Sequence, residues 1–369
     1  MIPESKASRA SHLLAHTLRR RSTILILVVL SLVVLYPLGS PYLPTPPSPL
    51  SPSENLTPYE QQQTPETQSA REISAYDLLN RPVSQDRTSI PKLIHQTWFP
   101  AGSNMSDSAK QWVQTVKDFH PGWEYVLWDD ESDEALVERY FPWFLETYKS
   151  LPKEINRADM VRNFYMYLFG GMYADVDTEA LRPVDTLFLA HDVRLRSHTE
   201  ELSAQPATRP VQRAFMGRMA HTLDAEGLGA IPNGWMASPP GHPFFLLPVL
   251  AVMENPKGDG SVEGMTGPGI LGPLIKQYVS SGGGTGAPED GERLRRQLCG
   301  RIQSVQRSWD LYCPGHESLD SGERDGEQIG HSLVLLPREQ IYPFSWVDDG
   351  AVRVCLGAKK NELFDAEAC

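Results

Sequence analysis

The longest apolar stretch comes first in the chain. Ser22 to Tyr36 reads STILILVVLSLVVLY, and Leu38 to Leu43 extends it to about 20 residues, enough to cross a bilayer. Arg19, Arg20 and Arg21 stand directly before it, and no acid follows until Glu54. Basic residues on that side place the amino terminus in the cytosol and the remainder in a lumen, a type II anchor. A cleaved signal peptide is the competing reading. Against it stand the 21-residue basic leader and Pro41, which lies where a small-residue cleavage site would fall. Pro41 to about Thr67 is rich in Pro, Ser, Thr and Gln with little to bury, the composition of an extended stem. The expected organisation is a cytosolic tail over 1–21, an anchor over 22–43, a stem over 44–87 and a folded domain over 88–369.

From about Thr88 the pattern becomes that of a folded core. Lys92 to Trp98 reads as a strand, and Ser106 to Phe119 has helical spacing with Trp112, Val113, Val116 and Phe119 on one side. Trp123 to Trp128 is a second strand that runs into the acidic turn Asp129-Asp130-Glu131. A further helix is predicted over Ile155 to Phe169, its apolar stripe made by Ala158, Val161, Tyr165 and Leu168. Gly170-Gly171 stops it, the first glycine suiting a left-handed cap. Met172-Tyr173-Ala174 is a short strand that leads straight into Asp175-Val176-Asp177. This alternation predicts an α/β domain with a largely parallel sheet.

Composition narrows the function. With 46 acids against 34 Lys and Arg the net charge is −12, which excludes a general affinity for nucleic acid. Four cysteines, Cys299, Cys313, Cys355 and Cys369, lack metal-site spacing and in a lumenal domain suggest disulfides. Three pairings are open, and neighbour pairing, Cys299 with Cys313 and Cys355 with Cys369, is the expectation. The triplets at Asn55 and Asn104 fit glycosylation acceptors and agree with a lumenal address.

The acid pair is the candidate chemistry. At the carboxyl end of a strand, where the chain turns, Asp175 and Asp177 can converge on one cation. Hard oxygen ligands select Mg or Mn, ions that usually also hold substrate phosphates. Such an ion neutralises a diphosphate leaving group. An isolated Asp-x-Asp is more often a solvated turn. A phosphatase-type Asp-x-Asp-x-Thr is discounted, because Glu179 stands where its Thr belongs. Asp159 and Arg162 lie three apart on the preceding helix and share a face, as a surface ion pair or as two walls of the same pocket.

Four segments then occur in one order: Ile90 to Trp98, Pro121 to Asp130, Arg157 to Arg162 and Gly170 to Asp177. Together they resemble the DXD-containing sugar transferases of glycosyltransferase family 32, in particular the fungal initiation-specific α-1,6-mannosyltransferases. The similarity runs from about Ile90 to Trp346. It implies a GT-A fold, a Rossmann-like α/β domain that binds a nucleotide sugar through Mn2+ or Mg2+, with retention of configuration and GDP-mannose as donor. By motif, Asp175 and Asp177 would be the metal and catalytic residues. Asp159 and Arg162 would contact the donor sugar, and Trp98 would stack on the nucleotide base, unless it is simply a core Trp. Asn233 to Pro243 resembles the family segment between donor and acceptor, making Asn233 and His242 candidates there. A His between Gly and Pro is more often a loop residue satisfying its neighbours. Met265 to Gly269 implies a tight turn that starts a helix, and Ser280 to Gly286 reads as a surface insertion.

Relatives continue past Tyr342 to Trp346 into an element with a final His, whereas the last His here is His331. Either the chain is truncated relative to them or another residue fills that role. The resemblance thus implies a Golgi type II mannosyltransferase acting on a glycan or glycoprotein acceptor, alone or within a mannosyltransferase complex. An inositol phosphoceramide acceptor and an inactive lumenal scaffold are the alternatives. The single amino-terminal span favours the glycan acceptor.

Overall fold

The computed structural model describes residues 69–84, 86–197, 211–219, 230–281, 288–305 and 329–342. The expected anchor and most of the stem, the Asn55 triplet, most of the 280–286 insertion and Cys313, Cys355 and Cys369 lie outside these residues. No helix among the described residues is long and apolar enough to cross a membrane. Cys299 is disulfide-bonded.

Nine strands are described: β1 (Arg71–Glu72), β2 (Ile90–Pro91), β3 (Leu93–Thr97), β4 (Glu124–Trp128), β5 (Gly171–Ala174), β6 (Leu195–Arg196), β7 (Val211–Gly217), β8 (Trp235–Ser238) and β9 (Gly330–Leu336). The longer helices are α1 (Asp107–Asp118), α2 (Asp130–Tyr140), α3 (Glu154–Leu168), α4 (Leu246–Glu254), α5 (Leu271–Ser280) and α6 (Pro288–Val305). Seven strands form one sheet in the order β1-β4-β3-β5-β8-β7-β9, and β2 pairs with β6 apart from it. Within the large sheet β8 alone is reversed, pairing antiparallel with β5 and β7. The chain thus adopts the expected α/β class with a mostly parallel sheet.

Alternation along each strand feeds two cores. Leu93, Val126, Tyr173 and Met236 face one side, packed with α2, α3 and α4. Ile94, Tyr125, Met172 and Ala237 face the other. Both faces are covered, as a parallel sheet requires.

The folded region starts earlier than residue 88. Arg71–Glu72 pair in parallel with β4, and Ala75, Leu78 and Leu79 enter the core. Glu124 explains the attachment, because this buried acid takes ion pairs from Arg71 and, at 2.6 Å, from Arg81. A short segment with two buried leucines carried too little periodicity to separate it from the stem. The helix over Ser106–Phe119 forms as expected, except that Phe119 is left 37% exposed at its end.

The α3 helix departs from its expected single stripe. From Ala158 to Leu168 every residue is buried, since the sheet, α2, α4 and the turn at Pro243–Phe245 enclose it. Its stop is the expected one, with Gly170 at φ 67° and Gly171 at φ 92°. A Cβ on Gly171 would lie 2.3 Å from the Leu93 carbonyl oxygen, so only glycine lets β5 leave α3 this close to β3.

Asp133 is buried between α2 and the sheet, accepting from the Tyr165 hydroxyl and from Thr97 Oγ1. Burial pushes its carboxyl up to about 8 from an ordinary 3.8, although both hydrogen bonds pull the other way. A folded value above the unfolded one means stability is full below about pH 4 and falls as pH rises through 8. Asp133→Asn keeps an acceptor for Tyr165 and is expected to remove a slope of roughly 1.4 kcal/mol per pH unit across that window. Denaturant unfolding of both proteins from pH 4 to 9 checks this, and parallel curves would contradict it.

Candidate active site

Two neighbouring side chains on β3 hold both ends of β5. His95 and Gln96 point to opposite faces of the sheet. His95 Nε2 donates to the Gly170 carbonyl at 2.9 Å, just before β5 begins. Gln96 Nε2 donates to the Asp175 carbonyl at 3.0 Å, just after it ends. Neither is free to move. His95 stacks on Tyr165 at 5.2 Å and its Nδ1 accepts from Trp128 Nε1, while Gln96 Oε1 accepts from the Tyr125 hydroxyl. Burial lowers the His95 imidazole to about 3, so it serves as a fixed neutral donor. The family-like segment Ile90 to Trp98 therefore sets where the acid pair begins.

Beyond β5 the chain turns, with the Thr178 N–H donating to the Asp175 carbonyl at 3.0 Å. Asp177 on this turn is exposed, and the Asp175 side chain is 30% exposed. The Asp175 Oδ1 atom accepts from the Tyr173 hydroxyl at 2.6 Å and faces Arg162 Nη2 at 3.2 Å. On its other side, Arg162 Nη1 lies 3.3 Å from Asp159 Oδ1 and donates to the Asn233 carbonyl at 3.3 Å. The Asp159 carboxylate also accepts from Asn233 Nδ2 at 2.8 Å and from Thr266 Oγ1 at 3.1 Å. With side-chain exposures of 7% and 5%, Arg162 and Asp159 form no surface ion pair. Four candidates from the sequence, Asp159, Arg162, Asp175 and Asn233, thus meet in one network, with Asp177 at its rim.

Electrostatics follow the geometry. Burial raises the carboxyls of Asp159 and Asp175, and Arg162 opposes that rise at both. The Asp177 carboxylate pushes Asp175 further up. The Arg162 guanidinium stays charged because Asp175, Tyr173 and Asp159 outweigh its burial.

A divalent cation fits the acid pair. The missing Cβ of Gly234 lets the Asp175 Oδ2 atom pack against the backbone before β8, since an added Cβ would stand 2.7 Å from it. Oδ1 is committed to Tyr173 and Arg162, which leaves Oδ2 and the exposed Asp177 carboxylate as the hard oxygens that could meet a cation. Among the described residues no three His, Cys, Asp or Glu side chains gather to hold a metal, so this pair would leave room for water or phosphate oxygens.

The other candidates sit differently. Trp98 follows β3 at the same end of the sheet, half-buried, with Nε1 donating to the Ser103 carbonyl at 3.2 Å. His242 is no loop ligand. It is fully buried, Nδ1 accepts from the Phe244 N–H and Nε2 donates to the Ser332 carbonyl, so both nitrogens are used in capping and packing. Burial, followed by His331, drives its pKa well down. The expected turn at Met265 to Gly269 does lead into α5, and it also brings Thr266 onto Asp159. Sequence reading missed Tyr173, Gly234 and Thr266. Tyr173 and Thr266 looked like core and turn residues, and only the neighbours that folding supplies give their hydroxyls a role.

Residues 106–194 match the family described as a glycosyltransferase sugar-binding region containing DXD motif. The chain carries a region similar to that family. That region contains Asp159, Arg162, Asp175 and Asp177, while Trp98 and Asn233 flank it. Over 115 residues the chain is 42% identical to inositol phosphoceramide mannosyltransferase 3 of Schizosaccharomyces pombe, covering 30% of this chain and 31% of that protein. A mannosyl phosphorylinositol ceramide synthase of Saccharomyces cerevisiae is 32% identical over 193 residues, 52% of this chain and 42% of that protein. The initiation-specific alpha-1,6-mannosyltransferase of Candida albicans is 28% identical over 137 residues, 36% and 34% of the two chains. The matches thus span about a third to two fifths of the length of these relatives. The solved structure of PaToxG glycosyltransferase aligns with a TM-score of 0.34 and 15% identity, covering 63% of this chain and 83% of that one.

Removing the central cation of the network is expected to leave Asp159 buried and unpaired. Arg162→Met should destabilise the fold by about 3–5 kcal/mol, and adding Asp159→Asn should recover a large part of that loss. Denaturant midpoints of the single and double variants decide this. A loss below about 1 kcal/mol for Arg162→Met would mean the pair is not buried as described.

Proposed function

We propose that the protein is a metal-dependent mannosyltransferase of the GT-A fold that uses GDP-mannose. The observation that carries this is the network around Arg162, which ties Asp159 on α3 and Asn233 before β8 to the first acid of the DXD region. Shared similarity to fungal mannosyltransferases with two acceptor types supports the sugar. A Mn2+ or Mg2+ ion, when bound, would supply charge neutralisation for the diphosphate leaving group. Asp175 would offer Oδ2 to that ion, with Asp177 beside it, while Arg162 and Tyr173 keep the carboxylate from rotating. Asp159 and Asn233 would meet the hydroxyls of the donor sugar, and Trp98 would stack on the base. Pre-set partners of this kind lower the cost of reorganisation as charge develops.

The acceptor reading moves toward inositol phosphoceramide. The inositol phosphoceramide mannosyltransferase matches at 42% over 115 residues and the mannosyl phosphorylinositol ceramide synthase at 32% over 193, against 28% for the α-1,6-enzyme of Candida albicans. The preference for a glycan acceptor rested on the single amino-terminal span over 22–43. A Golgi lumenal domain held by that span completes the proposal, supported by its flanking charges.

Asp177 is exposed and its substitution should leave the fold intact. With the full chain in detergent, transfer of labelled mannose from GDP-mannose to inositol phosphoceramide is expected to need Mn2+ or Mg2+. Asp177→Ala should lower the rate at least about a hundredfold, as expected when a group aimed at developing charge is removed. Transfer to an α-mannoside with none to the lipid would restore the glycan acceptor. Full turnover by Asp177→Ala would sink the assignment of the acid pair.

A further inference from the structure

Tyr342 follows the short helix Arg338–Ile341 and ends the described part of the chain after β9. Its ring lies against Gly217, the last residue of β7, where an added Cβ would stand 2.8 Å from ring atom Cε2 and 2.9 Å from Cδ2. Its hydroxyl reaches Gly234, just before β8, where an added Cβ would stand 3.3 Å from Oη and 2.7 Å from Asp175 Oδ2. Two glycines at neighbouring strand ends therefore seat this one tyrosine, and at Gly234 its oxygen and Asp175 Oδ2 flank the same glycine.

The hydroxyl is buried, and its proton has no acceptor among the described residues. The Trp235 backbone N–H faces the oxygen as a donor, which still gives the hydroxyl proton no acceptor. Burial, then Asp175, raises the phenol, so the proton stays on the oxygen. A buried donor left this way is costly unless something arrives to accept from it. Other donors around Asp175 are engaged, except Arg162 Nε, which is buried without a partner. Tyr173 serves Asp175 Oδ1, Asn233 Nδ2 serves Asp159, and Arg162 lies over the Tyr173 ring at 5.1 Å while bonding both carboxylates.

We infer that Tyr342 is a donor-binding residue whose hydroxyl donates to a diphosphate oxygen of the bound nucleotide sugar. This rests on the transferase reading above. A neutral donor beside two carboxylates suits an anionic oxygen better than a further acid would, and its site beside Oδ2 puts it on the diphosphate side of the network. Sugar hydroxyls would instead fall to Asp159 and Asn233.

The test uses the full chain in detergent with two probes, Mn2+ alone and GDP with Mn2+. Tyr342→Phe keeps the ring and removes only the oxygen. GDP affinity is expected to fall roughly ten- to a hundredfold, the loss typical of a hydrogen bond to a charged group. Mn2+ affinity and the melting temperature should stay unchanged. Unchanged GDP affinity would overturn the inference, whether or not the melting temperature moves. An equal loss of Mn2+ affinity would also overturn it, by placing the hydroxyl's effect on Asp175. Absence of GDP binding by the unsubstituted protein would overturn the transferase reading itself, and this inference with it.

Discussion

A guanidinium buried to 7% side-chain exposure is sustained only where carboxylates and carbonyls surround it, and Arg162 meets that condition at the end of β5. Its two ion pairs run to different parts of the chain, Asp159 one turn back on α3 and Asp175 after the strand. The same group takes the Asn233 carbonyl from the segment before β8. One charge thus fixes three segments. Because low dielectric strengthens each contact and penalises any that is missing, the arrangement has little freedom to drift.

The sheet supplies the second constraint. His95 and Gln96 grip Gly170 and Asp175 from opposite faces of β3, and the two glycines ahead of β5 allow the close approach. Asp175 is therefore placed twice, by its backbone through β3 and by its side chain through Tyr173 and Arg162. Asp177 lies on the turn and is fixed by neither. In the proposed reaction, a rigid first acid and an exposed second one would suit a cation that a diphosphate must reach.

Much of this was legible in the chain. Strand, helix, Gly-Gly and acid-x-acid stand in reading order, and all form where their residues predict. Asp159 and Arg162 were placed on one helix face by spacing alone, but whether that face met solvent was not, because α3 is enclosed by elements distant in sequence. His242 failed for the same reason. Between Gly and Pro it reads first as a residue satisfying its neighbours, and it does so, but with a partner, Ser332 on β9, that lies some 90 residues on. Tyr173, Thr266 and Tyr342 carry side chains common in cores and turns, so only tertiary contact reveals what their hydroxyls face. Gly234 is the extreme case, since its contribution is the atom it lacks.

The central claim is that this acid pair binds a nucleotide sugar through a divalent cation. Calorimetry of GDP-mannose with the full chain, in Mn2+ and again in EDTA, tests it most directly. The account predicts saturable binding with one site in Mn2+ and none in EDTA. Equal binding in both, or none in either from a folded protein, would contradict it.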